Sequence, residues 1–270
     1  MRIHEVATEE LDCVTAVCLD PSVPLKWREA MKTAMDTRIR WLKTMIHKGL
    51  QVSIALKKPE QVSTPFEPKN AKGLIEYLPI EFAPEPVKGE KSLFINCIWV
   101  VPPLWHKGIA RSLLERAIES ARNYNGVSVL AYEGDKWFGF FPYMPASFFK
   151  RFGFKEVDHD ESRVLLHLNL GADEKPILIK PRCREIGNSD KMVVDVLFNS
   201  QCPWSGWMVD KIKRNIKKYD TVVNTVNTDD RKMIEKYGLS RGVCINGTPI
   251  IKRMAPWKEI ESIIKQTMRH

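Results

Sequence analysis

Apolar residues recur every three or four positions from Met31 through Met35, Ile39 and Leu42 to Ile46, which predicts a long helix over Leu25–Lys48 closed by Gly49. Ahead of it, Arg2–Ala7 reads as a short strand, and Thr8 with Glu9 and Glu10 starts a helix carrying Cys13 and Cys18. Val52–Leu56, Gly73–Leu78 and Leu93–Val101 follow as strands, separated by Pro-rich loops over Lys58–Asn70 and Pro79–Gly89 that are long enough to cover something. A stripe of Ile109, Leu113, Leu114, Ala117, Ile118 and Ala121 predicts a helix over Gly108–Ala121. Val127–Tyr132 is then a strand, Ala146–Phe152 a short helix, and Phe154–Val157 and Val164–Leu170 strands, giving the order βααβββαβαββ.

Periodicity lapses around "GADEKPILIKPRCREIGNSD", where Gly, Pro and charge accumulate. This divides the chain into a first domain over 1–172, a linker over 173–189 and a second domain over 190–270. In the second, strand Met192–Phe198, helix Pro203–Lys218, strand Thr221–Val226, helix Asp229–Tyr237, strands Val243–Ile245 and Ile250–Arg253, and helix Trp257–Gln266 make a βαβαββα unit. Asn246-Gly247 predicts a type I′ hairpin turn, because both central positions need positive φ. The fold class expected is α/β (α+β), in two domains.

Composition narrows the picture. At 270 residues, 44% hydrophobic and 28% charged, either part is large enough for its own core, and no low-complexity tract or internal repeat stands out. No apolar run reaches a membrane-spanning length and the opening residues carry no signal core, so a cytoplasmic protein is expected. Six cysteines without a C-x-x-C pair argue against a disulfide framework and against a zinc site, and no metal is expected. The net charge of +9 is uneven: residues 173–270 hold 19 Lys+Arg against 12 Asp+Glu, leaving 23 against 21 before them. That surplus fits an acidic partner or coenzyme phosphates, but aromatics are not interleaved with it as in RNA-binding motifs.

The most informative stretch is "NCIWVVPPLWHKGIARSLLERAIESA". A buried strand breaks at Pro102-Pro103 and enters a helix at Gly108, whose first turn offers free N–H groups and the positive end of the macrodipole to a pyrophosphate. Lys107 and Arg111 add charge, while Gly108 and Ala110 keep side chains away. No G-x-x-x-x-G-K-[ST] is present, which argues against a nucleoside triphosphate.

The strand, its "V-x-P" exit, "HKGIARSLL" and the later "ASFFKRFGF" resemble the GNAT superfamily of acetyl-CoA-dependent N-acyltransferases over roughly residues 1–170. The resemblance places the family's pyrophosphate signature on Trp105, His106, Lys107, Gly108, Ile109 and Ala110, with Trp105 where the family usually has Arg or Gln. It implies that Ile98, Trp99 and Val100 pair with the pantetheine arm, and that acetyl-CoA is the cofactor.

Such catalysis holds an amine against the thioester, with a base for its proton and an acid for the departing thiolate. At the family's usual tyrosine stands Phe149, which cannot donate a proton; Tyr143 and Tyr132 are the nearby hydroxyls. Glu76 and Glu133 are the candidate bases, and the aromatic run Lys136–Met144 a candidate acceptor lining.

"FNSQCPWSGWMVDKIKRN" places Cys202 between a strand and a helix start, where a helix dipole favours a thiolate. With "YGLSRGVCINGTPIIK" it resembles a thioredoxin-like fold, specifically the YoaP-like domain found behind some acetyltransferase domains. The usual second cysteine is Ser205, so Cys202 can form only a mixed disulfide, a sulfenate or a bond to a third cysteine such as Cys183 or Cys244. Arg241 falls where related folds carry a cis-proline facing the cysteine.

The reading is an N-acetyltransferase of a small-molecule or protein amine, with a single-thiol domain that meets a thiol-bearing partner at Cys202. Two rivals use the same residues: a thiol-exchange protein whose first domain only binds coenzyme A, and a non-catalytic acyl-CoA-binding adaptor.

Overall fold

A computed structural model describes residues 1–268 apart from 20–22, 65, 135–142, 172–174 and 188–189. They divide into two compact units, one of Met1–Ala83, Val87–Glu133 and Met144–Leu178, the other of Pro84–Pro86, Gly134–Tyr143 and Ile179–His270. Among the described residues no helix is long and apolar enough to cross a membrane.

The first unit contains β1 (Arg2–Glu5), α1 (Leu11–Cys18), α2 (Leu25–Ala30), α3 (Lys32–Ile46), β2 (Gln51–Leu56), β3 (Ala71–Pro79), β4 (Val87–Lys88), β5 (Ser92–Val100), α4 (Ile109–Ser120), β6 (Gly126–Tyr132), α5 (Ala146–Lys150), β7 (Lys155–Asp160), β8 (Arg163–Asn169) and β9 (Ile177–Leu178). Seven strands form one sheet in the order β1-β2-β3-β5-β6-β8-β7. Every neighbour is antiparallel except β5 and β6, which run parallel and are joined through α4. β4 and β9 form a separate pair.

The predicted helix over Leu25–Lys48 is two helices. Met31 sits at φ −95 and ψ 0, and its N–H reaches the carbonyls of both Trp27 and Arg28, a tightened turn that ends α2. α2 buries no side chain, whereas Met31 itself is fully buried, so the chain turns to seat it. α3 then buries Met35, Arg38, Trp41, Leu42 and Met45, a face rotated from the expected one so that a charged residue, Arg38, points inward.

Far along the same sheet His167 on β8 lies opposite Ser128 on β6, Nδ1 and Oγ 2.9 Å apart, while its Nε2 is buried without a hydrogen-bond partner among the described residues. Burial, aided by the charge of Lys175, holds its pKa below the ordinary value near 6.5. As pH falls below about 6.5 the unfolded chain gains a proton that the folded chain refuses, so stability drops by up to about 1.4 kcal/mol per pH unit until the folded pKa is passed. Urea unfolding at pH 7.5 and 5.5 is expected to show a larger acid loss for the native chain than for His167→Gln. Equal losses would count against this titration.

The second unit contains β10 (Met192–Phe198), α6 (Pro203–Ile216), β11 (Thr221–Asn227), α7 (Arg231–Tyr237), β12 (Gly242–Ile245), β13 (Thr248–Ile251) and α8 (Trp257–Thr267). Its sheet order is β11-β10-β12-β13, with β10 parallel to β11 and antiparallel to β12, and β13 antiparallel to β12. The β12–β13 turn has Asn246 at φ 48 and Gly247 at φ 77, the left-handed pair that the sequence predicts. Residues 179–187 bond into this unit, Arg182 N–H to the Tyr237 carbonyl and Arg184 N–H to that of Gly247.

Candidate active site

The parallel strands β5 and β6 pair from Ser92–Gly126 to Ile95–Val129 and then part, although β5 continues to Val100 and β6 to Tyr132. A bulge marks the parting. Against β3, Glu76 faces Cys97 and Tyr77 faces Ile95, which leaves Asn96 as the extra residue, and an extra residue bends its strand and increases its twist. Asn96 Nδ2 donates to Glu76 Oε2 at 2.9 Å, and Glu76 Oε1 accepts from Arg38 Nη2 of α3. Arg38, Glu76 and Asn96 are 1%, 0% and 2% exposed, so this ion pair and its amide are out of water. Glu76, a candidate base, therefore has both carboxylate oxygens engaged.

Beyond the bulge the backbone alternates. Val101 N–H is spent on the Lys72 carbonyl beside β3, so Val100 turns its N–H and C=O toward the parting, Trp99 back to β3, and Ile98 toward the parting again. Of the three residues expected to pair with a ligand arm, Trp99 is thus committed to the sheet through its backbone. The Val100 carbonyl is also taken: Trp105 Nε1 donates to it at 2.6 Å, and the Trp105 ring meets Trp99 edge-on at 5.8 Å. Trp105 thereby ties the loop to the strand it leaves.

That loop delivers the start of α4. His106 at φ 61 and Gly108 at φ 78 are both left-handed. The Gly108 carbonyl accepts from Ser112 N–H, the first rung of the helix, so the amides of Ile109, Ala110 and Arg111 precede the ladder. No side chain caps them, and a Cβ on Gly108 would meet nothing within 4 Å. Donors and open space together fit a pyrophosphate. His106, Lys107 and Arg111 are exposed around them, Arg111 bonded to Glu115 at 2.8 Å. Below, Ile109, Leu113, Leu114 and Ala117 are buried; each large side chain contributes roughly 1.5–3 kcal/mol and fixes the helix start in place.

The proton-handling candidates separate. Tyr132 is buried at the end of β6, within the part that no longer pairs with β5, and its N–H donates to the Met144 carbonyl. Tyr143 is buried and counted with the second unit. Phe149 is wholly buried on α5 between Phe148 and Phe154, with ring centroids at 5.1 and 5.6 Å. Glu133 is exposed and bonded to Lys150. Of the aromatic run, residues 136–142 lie outside the described residues. Arg38 escaped the sequence reading, although it stands three after Met35 and four before Leu42, inside the apolar stripe.

In the second unit Cys202 is the N-cap residue of α6. Ser205 is fully buried and acts as a strut: its Oγ lies 2.6 Å from the Asn199 carbonyl and 2.7 Å from that of Cys202. Ser200 is held through N–H and Oγ by the Asp229 carboxylate, and Asn199 Nδ2 bonds the Thr228 carbonyl. Arg241 is buried and pairs with Glu85 at 2.7 Å, with Gln201 Oε1 at 3.4 Å, so its charge is balanced within the unit. Burial, with Asp195 adding, pushes the Cys244 thiol up to about 12, which leaves it protonated and inert; Cys183 is exposed.

Residues 32–137 match the model of the Acetyltransferase (GNAT) family. The chain is 24% identical over 208 residues to the "uncharacterized N-acetyltransferase YoaP" of Bacillus subtilis, covering 75% of each. Among solved structures it is similar to the PaiA N-acetyltransferase of Thermoplasma acidophilum in complex with coenzyme A, at 14% identity and TM-score 0.42, over 63% of this chain and 100% of that one. An acetyltransferase of Thermus thermophilus matches at 12% identity and TM-score 0.43, over 63% and 98%. The family match spans α3 to the end of β6, which contains the parted strands and the open start of α4, so it is this part of the first unit that is similar to the acetyltransferase (GNAT) family.

Proposed function

We propose that the first unit acetylates an amine of a small molecule or protein from acetyl-CoA, and that the second is a thioredoxin-like, YoaP-like domain whose single thiol is Cys202, largely buried at the N-cap of α6. The first reading rests on one observation, the parting of β5 from β6 beside the uncapped start of α4. When bound, acetyl-CoA supplies the acetyl thioester. The amides of Ile109, Ala110 and Arg111, with Lys107 beside them, hold its pyrophosphate. The N–H of Val100 and both polar groups of Ile98, which turn away from β3, line the arm. Arg38 and Glu76 act as positioning residues that hold the Asn96 bulge, and Tyr132 is the acid for the departing thiolate.

Support for the second reading is the βαβαββα order, the β11-β10-β12-β13 sheet and Cys202 at the N-cap of α6. Ser205 spends its hydroxyl on backbone carbonyls, so thiol exchange there depends on an outside thiol.

One turnover assay separates the roles. With acetyl-CoA and a panel of primary amines, Tyr132→Phe is expected to lower kcat about 10- to 100-fold with little change in KM, while Cys202→Ser keeps amine acetylation and loses mixed-disulfide formation. Acetylation that vanishes with Cys202 would reverse the assignment, and coenzyme binding without turnover on any amine would favour the adaptor.

A further inference from the structure

β11 pairs with β10 alone, so the far side of Thr221–Asn227 offers its N–H and C=O groups to no strand among the described residues. Its seven residues run in unbroken register and include no proline, no charge and no bulge, the devices that ordinarily close a sheet edge to new partners. Val222, Asn224, Thr225 and Asn227 are exposed. On the α6 side of this edge lies a groove of about 460 Å³, lined by Lys213 and Arg214 of α6 and its C-cap residue Lys217 together with Tyr219, Thr221 and Val223.

Charge in this groove is unbalanced. Among the described residues Lys213, Arg214 and Lys217 have no carboxylate partner, whereas the adjacent Lys218 is paired with Glu261. Cations near a helix C-terminus interact favourably with the macrodipole, but that effect does not require them to face a strand edge. Here the three line the same groove as Thr221 and Val223. Alternate side chains of a strand added beside β11 fall on the α6 face, under these cations. A second copy of β11 would bring no carboxylate there, because Thr221–Asn227 carries none.

We propose that β11 is a docking edge for an extended acidic segment of a partner protein, which adds to this sheet as a strand and sets alternate carboxylates against Lys213, Arg214 and Lys217. The backbone ladder supplies affinity and the groove supplies sign.

The test uses the full chain and a labelled eight-residue peptide alternating glutamate and threonine. Fluorescence anisotropy is expected to show saturable, salt-sensitive binding, and bound peptide should slow amide exchange in Thr221–Asn227. Binding should weaken at least about tenfold in the Lys213→Glu, Lys217→Glu double variant, with β10 exchange unchanged as the folding control. It should weaken similarly for a peptide N-methylated at alternate residues, measured on the native chain. Equal binding of the N-methylated peptide, no peptide binding, tighter binding of an RNA oligonucleotide of equal charge, or self-association that protects β11 without peptide would each overturn the proposal.

Discussion

Replacing Glu76 by Gln is expected to destabilise the first unit by about 3–5 kcal/mol, because it leaves the Arg38 guanidinium buried with its counter-charge removed. Against a typical domain stability of roughly 5–15 kcal/mol this is a large fraction, and at about 2–4 °C per kcal/mol it lowers the melting temperature by roughly 6–20 °C. Removing the charge from both sides, as Arg38→Met with Glu76→Gln, is expected to recover much of the loss, since a neutral pair of similar volume replaces a desolvated ionic one. Stability and function should then part company. The carboxamide oxygen introduced by Glu76→Gln can still accept from Asn96 Nδ2, so the double variant keeps the bulge and its coenzyme affinity. Arg38→Met with Glu76→Leu removes the Glu76 acceptor of Asn96 Nδ2, and coenzyme binding should weaken even where the melting temperature returns. A melting temperature within about 2 °C of native for Glu76→Gln would sink the buried-pair account; unchanged coenzyme affinity in the Glu76→Leu double variant would sink the positioning role.

How far these features can be read from sequence depends on the range of the interaction that makes them. The start of α4 is local: its apolar stripe and Gly108 lie between positions 108 and 121, and the structure has the helix where the pattern puts it. The βαβαββα order is likewise a chain of local periods, fixed at one end by the Asn246-Gly247 turn. The bulge that marks the parting of β5 and β6 is not local, since it is one extra residue, Asn96, counted against a strand some twenty positions earlier. Arg38 was visible only as a charge inside an apolar stripe, and nothing near it named Glu76, 38 positions away, as its partner. Arg241 stands where related folds carry a cis-proline, but its neutralising partner Glu85 stands 156 positions upstream, beyond the reach of any pattern. The same distinction explains the long helix, whose period holds through Met31 while the demand to bury Met31 breaks it.

Gly108→Asp is expected to abolish coenzyme binding while leaving the fold intact. The two effects come from one feature. At φ 78 any side chain is strained, but Asp tolerates left-handed backbone better than a β-branched residue does, and a Cβ there has open space. Its carboxylate can accept from amides of the first turn, the donors that precede the helical ladder. Those are the donors proposed to hold the pyrophosphate, so the side chain should compete for them and add repulsion between like charges. Each charge-assisted hydrogen bond contributes about 1.5–3 kcal/mol, and losing two of them weakens binding by a factor on the order of 100 or more. Calorimetric titration with coenzyme A should therefore show no measurable heat at concentrations that saturate the native chain, with a melting temperature within a few degrees of native. Gly108→Ala is the control: it adds backbone strain of about 1 kcal/mol without a competing acceptor, and its affinity should fall by only severalfold. If Gly108→Asp binds coenzyme A as tightly as Gly108→Ala, the pyrophosphate is held elsewhere and the start of α4 is a packing feature only.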